Sequence, residues 1–289
     1  MRRTSVALLT AMVAVSPLSA QTWQNVGTPD NSNTGSYWNN VSDDNAGGAV
    51  CNAGAILTNT PALTATSCNY QAPVYLPLSP APLTGSSGVF LGGLGGSNPG
   101  AFRFADGIYD FKLVGRISGN TAIGWGIITD VGTVINGASL TGVTTYVANP
   151  FAIWIEQSLP LIGAGTVYSS AMRTGTGAIG ANATTVNQQF AVFTEGNGLG
   201  AYGTITTDTF GAVINGLANS VYYVGMEDNT YCGRGFDSNC LAPRPGVSNS
   251  DRDYNDILIS VQPVPEPATV GLMGMGLLAL AGVAKRRRA

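Results

Sequence analysis

The sequence predicts an all-β protein, an antiparallel β-sandwich of jelly-roll or immunoglobulin-like type. A cleaved N-terminal signal helix precedes it and a C-terminal hydrophobic helix follows it. Three observations carry this reading. Short runs rich in β-branched and aromatic residues recur from Ala101 onward. Gly, Asn and Ser clusters separate them, and no capped segment with helical period and length lies between them. Charged residues make up only 10% of the 289, while Gly numbers 39, which suits a secreted, turn-rich β protein. With 44% apolar residues the chain has enough for a real core, which argues against disorder.

The N-terminus reads as an export signal. Arg2 and Arg3 open a basic stretch, residues 5–15 are apolar, and Pro17-Leu18-Ser19-Ala20 suits cleavage by signal peptidase before Gln21. The expected organisation is a signal peptide over 1–20, then a Gly/Asn/Pro-rich region over 21–98. A β-sandwich domain over 99–262 and a C-terminal signal over 263–289 complete it. In the 21–98 region Pro73, Pro77, Pro80 and Pro82 suggest extended chain, and Gly92 to Gly96 a break.

Strands are expected at 110–117, 121–129, 151–156, 189–194, 220–227 and 257–262. A faint internal echo joins residues 129–137 to residues 207–216: both start Thr-Asp and end Ile-Asn-Gly. It reads as two similar hairpins, with Asn-Gly as the turn dipeptide.

Several chemistries are excluded. The chain has no histidine, so Ser-His-Asp and Cys-His catalysis and His-ligated metals are absent. Between Gln21 and Gln262 there are seven basic residues against fifteen acidic ones, a net charge near −8, the wrong sign for a nucleic-acid partner. Cys51, Cys68, Cys232 and Cys240 form no C-x-x-C pair, which argues against a zinc ribbon. In an exported chain they read as disulfides. Three pairings are compatible with the sequence; the local one, Cys51–Cys68 with Cys232–Cys240, is expected.

The densest chemistry lies at residues 250–256, Ser-Asp-Arg-Asp-Tyr-Asn-Asp. Asp251, Asp253 and Asn255 supply oxygens at alternate positions, as in the opening of an EF-hand loop. Asp256 stands where the turn glycine belongs, however, and a strand follows instead of a helix. Ca²⁺ tolerates irregular oxygen cages. If the strands ending at Glu227-Asp228 and starting at Ile257 are antiparallel neighbours, Glu227 and Asp228 face the loop across one sheet edge. Carboxylates gathered there repel by about 1 kcal/mol per close pair in water. A cation relieves this, which makes Glu227, Asp228, Asp251, Asp253, Asn255 and Asp256 a candidate calcium site. A solvated loop with Asx turns is the alternative.

These residues carry a resemblance. Tyr222 to Asp228, followed by Ser250 to Asp256 and an apolar strand, resembles the bacterial family called domain of unknown function 4114. Phe190-Ala191-Val192-Phe193 fits the strand before. The resemblance implies a β-rich extracellular module of unsettled activity, here with a Cys232–Cys240 segment inserted in the acidic loop.

The C-terminus carries a second resemblance. Pro265-Glu266-Pro267 precedes an apolar run over 268–284 and the basic cluster Lys285, Arg286, Arg287 and Arg288. The run of 17 residues reaches about 25 Å as a helix, slightly short of a ~30 Å hydrocarbon core. The basic cluster would keep its end in the cytoplasm. This arrangement is similar to the PEP-CTERM sorting signal. The resemblance implies transient anchoring in the inner membrane, recognition of Pro-Glu-Pro by an exosortase, removal of the tail and delivery to the cell surface. It also implies association with exopolysaccharide and biofilm.

The expected function is therefore a non-enzymatic surface or matrix protein. Two other classes remain open. One is a polysaccharide-acting enzyme using a carboxylate pair such as Glu227 with Asp253. The other is a sugar-binding adhesive module using Trp125, Trp154 or Tyr222, for which core packing is the competing reading.

Overall fold

The computed structural model describes residues 23–25, 52–59, 83, 88–92, 102–116, 124–129, 133–140, 142, 144–147, 149–156, 167–170, 190–195, 203–208, 211–218, 220–227, 254–265 and 267–286. The export signal, the four cysteines and the boundary expected near Asn98 lie outside these residues.

The described chain is mostly strand, in two sheets, with few helices. The strands are β1 (Gln24–Asn25), β2 (Gly88–Gly92), β3 (Phe102–Phe104), β4 (Gly107–Arg116), β5 (Trp125–Thr129), β6 (Val134–Asn136) and β7 (Thr144–Val147). Then come β8 (Phe151–Glu156), β9 (Val167–Ser169), β10 (Phe190–Glu195), β11 (Thr204–Asp208), β12 (Gly211–Asn215), β13 (Tyr222–Met226) and β14 (Ile257–Val264). Two helices, α1 (Ala53–Thr58) and α2 (Pro267–Arg286), complete the set.

The first sheet runs β1-β2-β10-β13-β14-β4-β7 and is antiparallel throughout. The second runs β11-β12-β3-β8-β5-β6, with β9 beside the C-terminal half of β8. One pair departs from the antiparallel expectation: β12 and β3 are parallel, Ala212 opposite Phe102 and Ile214 opposite Phe104. A parallel pair needs a long connection, and the strands from β4 to β11 intervene in sequence. The N-terminal strands are integral to the first sheet, since β2 pairs with β10 along its length.

Strand alternation builds one core shared by both sheets. On β13, Tyr222, Val224 and Met226 are buried and Tyr223 turns outward. Phe104 of the second sheet stacks on Phe151 beside it at 5.4 Å and meets Tyr222 of the first sheet edge-on at 5.7 Å. Phe151 in turn meets Tyr109 at 4.9 Å and Phe111 at 5.7 Å. Such edge-to-face pairs add about 0.5–1.5 kcal/mol each beyond their burial. Burial also pushes the Tyr109 and Tyr222 hydroxyls above the usual tyrosine pKa; beside Tyr223, burial first and then the Glu195 charge do the same.

Ser170 splices the second sheet where β3 gives way to β9. Its hydroxyl accepts the Ile153 N–H at 2.9 Å and donates to the Phe102 carbonyl at 2.8 Å. Its own backbone bonds both strands too, donating to the Ile153 carbonyl and accepting from the Phe102 N–H. On the same sheet the Arg103 guanidinium, almost wholly buried, pairs with the part-exposed Asp208 carboxylate of β11.

The internal echo does correspond to two hairpins, β5–β6 and β11–β12, at opposite ends of the second sheet. Their turns are not at Asn-Gly. The first reverses after Thr129, whose N–H reaches the Thr133 carbonyl. Asn136 instead ends β6 and caps a short 3-10 turn with its side chain, accepting from the Ala138 N–H at 2.9 Å. Asn215 likewise ends β12. Gly137 is needed for packing: a Cβ there would come within 2.2 Å of the Trp125 ring.

The short helix α1 was not expected from the sequence. Asn52 caps its start, accepting from the Ala55 N–H at 2.8 Å, and Asn59 closes it in the left-handed region at φ 52°.

Candidate functional site

The candidate site begins where β13 ends. Gly225 lies opposite Leu258, so the chain leaving β13 passes the start of β14. There Asn255 bridges to Met226 in parallel sense, and Glu227 follows directly. The Glu227 carboxylate, almost wholly buried, accepts the Tyr254 backbone N–H at 2.5 Å. A carboxylate acceptor makes this a strong, charge-assisted bond.

Tyr254 is the key to this corner. It is 1% exposed and holds a left-handed conformation, φ 56°, which is rare for a bulky residue. Gly225 makes room for it. A Cβ on Gly225 would come within 2.7 Å of the Tyr254 carbonyl oxygen and 2.8 Å of its Cβ. The end of the acidic loop is thus tucked over a glycine in β13 and tied by a buried glutamate. Sequence reasoning gave neither Tyr254 nor Gly225 a role. The available signal was a glycine inside an apolar strand, which marks close backbone approach.

Of the six candidate cation ligands, Glu227, Asn255 and Asp256 are described, and they lie at one end of the β13–β14 pair. Asn255 is buried and Asp256 half-buried. Asp228, Asp251 and Asp253 lie outside the described residues. Among the described residues no group of three or more His, Cys, Asp or Glu is arranged to hold a metal ion.

The aromatics considered for sugar stacking are not on the surface. Trp125, Trp154 and Tyr222 are 8%, 7% and 0% exposed, which corrects the adhesive reading of these three residues. Trp125 and Tyr222 belong to the core shared by the sheets, and Trp154 packs with Ile128 and Ala152 on the other face of β8.

The second feature is the exit from β14. The strand keeps its pairing to the end, Pro263 opposite Tyr109 and Val264 opposite Ile108. Pro265 is half-buried, and α2 starts at Pro267, the first helical position, where proline's missing N–H costs nothing. Residues 271–280 of α2 are all exposed. Leu272, Met273, Met275, Leu277, Leu278 and Leu280 are 63–74% exposed, so this stretch of the helix does not pack on the described strands. An all-round apolar helix suits a protein or lipid interior rather than water. The side chains of α2 are described over residues 271–280, and among the described residues no helix is long and apolar enough to cross a membrane by itself.

The two-sheet β domain is thus followed without a spacer by an apolar helix and a basic cluster. Residues 263–288 match the PEP-CTERM protein-sorting motif, which marks substrates of an exosortase destined for the exterior of the cell. No curated protein and no solved structure matches the chain.

Proposed function

We propose that this chain is a non-enzymatic cell-surface or extracellular-matrix protein, a β-sandwich released from the inner membrane by exosortase and retained among exopolysaccharide. The observation that carries the reading is the junction at Val264. There a core strand passes directly into the sorting motif and an apolar helix whose described side chains, at residues 271–280, are exposed. In this reading the helix inserts transiently, Lys285 to Arg288 hold its end in the cytoplasm, and Pro265-Glu266-Pro267 is read by the processing enzyme. The test replaces Pro265, Glu266 and Pro267 by alanine in the producing cell. The uncut precursor should accumulate in the membrane fraction; unchanged release to the surface would remove the reading.

The same proposal takes the acidic corner as a calcium-stabilised joint. Support comes from the convergence of Glu227, Asn255 and Asp256 at one end of β13 and β14, and from the resemblance of this stretch to domain of unknown function 4114. Asp228, Asp251 and Asp253 would complete the oxygen set. A cation bound only by the folded state at 100 times its Kd raises stability by about 2.7 kcal/mol. Melting of the processed chain with calcium and with chelator tests this. Asp253→Asn should lose most of the calcium gain. An enzyme would behave differently, losing turnover with little change in melting. The burial of Glu227 and its bond to the Tyr254 backbone favour the structural reading, since a general acid must reach its substrate.

A further inference from the structure

The first sheet ends, at the point where the sorting helix leaves, in a row of three apolar side chains. Val264 of β14 lies opposite Ile108 of β4, and Ile108 lies opposite Tyr146 of β7. Paired residues on neighbouring strands point to the same face. The adjacent register row contains Tyr109, which is buried in the core. Val264, Ile108 and Tyr146 therefore face outward. Val264 and Ile108 are half-buried and Tyr146 is 64% exposed.

The outward face changes character within one step. The next outward row is Gln262, Asp110 and Thr144, and the row beyond holds Ser260 and Lys112, with Lys112 paired to Asp110 at 3.4 Å. Across β14, β4 and β7 the two outward rows behind the rim are thus polar, while towards β13 the same face becomes aromatic again at Tyr223 and Phe193. Among the described residues the exposed large apolar side chains are Leu113, Tyr146 and six on α2.

The junction fixes where this rim must be. From Val264 to Pro267 is three residues, a reach of at most about 11 Å. Tyr146, two strands from Val264, is about 10 Å across the sheet. When α2 enters a bilayer, the rim is held within the headgroup layer's reach. Tyrosine with a neighbouring aliphatic row is the chemistry of that layer, an apolar body with a polar tip.

We propose that Val264, Ile108 and Tyr146 form a lipid-contacting rim that seats the precursor on the membrane surface while its sorting helix is inserted. This rests on the membrane-anchored reading of α2. The rim would hold the Pro265 to Pro267 segment at a fixed height and orientation before cleavage.

The test uses the full-length precursor on vesicles of phosphatidylethanolamine and phosphatidylglycerol carrying brominated lipid, which quenches tryptophan on contact. Tyr146→Trp reports on the rim. Leu113→Trp reports on the same strand pair about 17 Å further from the junction. Tyr146→Trp should show at least twofold more bromine quenching than the parent, and Leu113→Trp should match the parent. Backbone amides of residues 144–147 in the unaltered chain should exchange more slowly on vesicles than in detergent-free buffer, a readout that needs no substitution. If the precursor floats with vesicles yet Tyr146→Trp is quenched no more than Leu113→Trp and exchange is unchanged, the rim is wrong and the anchor stands. If the precursor does not float, the anchor fails and the rim falls with it.

Discussion

Glu227 and Tyr254 are joined across the mouth of the acidic loop: the buried carboxylate of one accepts the backbone N–H of the other at 2.5 Å. The bond ties the end of β13 to the residue that leads into β14. The acidic segment therefore returns to the sheet at a fixed point, whatever its other acids bind.

That bond should be measurable. Glu227→Gln keeps the shape and loses the charge, and should lower unfolding free energy by about 1–3 kcal/mol in urea titration. Gly225→Ala attacks the same corner from the other strand, because its methyl group has no space beside the Tyr254 backbone. The two changes should be non-additive in a double-mutant cycle, since both release Tyr254. Simple additivity would mean that the two residues do not share this contact.

Arg103 and Asp208 offer a second test. The guanidinium is almost wholly buried on β3, while Asp208 on β11 is partly open to water. Asp208→Ala removes the carboxylate but leaves the buried charge, and should cost about 1–3 kcal/mol. Arg103→Met removes the charge and keeps much of the volume, so it should cost less. A larger loss for Arg103→Met than for Asp208→Ala in thermal melting would contradict this account.

Alkaline pH should weaken the fold. Tyr109, Tyr222 and Tyr223 all have pKa values raised chiefly by burial. Above about pH 10 the unfolded chain loses tyrosine protons that the folded chain keeps, so unfolding is favoured as pH rises. Their contribution is intact below that pH and declines above it, by up to about 1.4 kcal/mol per pH unit for each tyrosine. The urea midpoint should be flat from pH 8 to 9.5 in this respect and fall beyond. Tyr109→Phe should make the fall shallower; an unchanged slope would exclude Tyr109 as a source.

Processing should depend on the junction at Val264. The sorting motif begins at Pro263, inside β14, where Pro263 and Val264 are still paired with β4. A short Gly-Ser insertion between Val264 and Pro265 should speed removal of the tail in pulse-chase, because the enzyme no longer works against the folded edge. Equal rates would show that the strand end offers no hindrance.

The sequence foretold the longer apolar strands and missed the short or polar ones, among them the interior strands β2, β3 and β12, for a physical reason. β8, β10, β13 and β14 are apolar because they pack in the shared core, so composition betrays them. β11 reads Thr-Ile-Thr-Thr-Asp and is mostly exposed, and β7 is half polar; pairing rather than burial makes them strands, and pairing leaves no local trace. The Asn-Gly dipeptides misled because asparagine caps a turn as readily as it occupies one. At the acidic corner, Glu227 was legible as an acid near the loop, but its bond to a backbone N–H was not. The sorting segment was legible residue by residue, because its signal is contiguous and needs no fold.

The position of β14 bears on the order of events during export. It is the last strand in the chain, yet it lies between β13 and β4 in the middle of the first sheet. Its partner on one side, β4, is synthesised more than a hundred residues earlier. While the chain is threaded outward, β4 and β13 wait with open edges, and the sheet cannot close. Non-local pairing of this kind is slow to form. The sheet can close only when this strand arrives, and the strand carries the first residues of the sorting motif. Closure of the first sheet and completion of the segment that leads into the tag are thus one structural step.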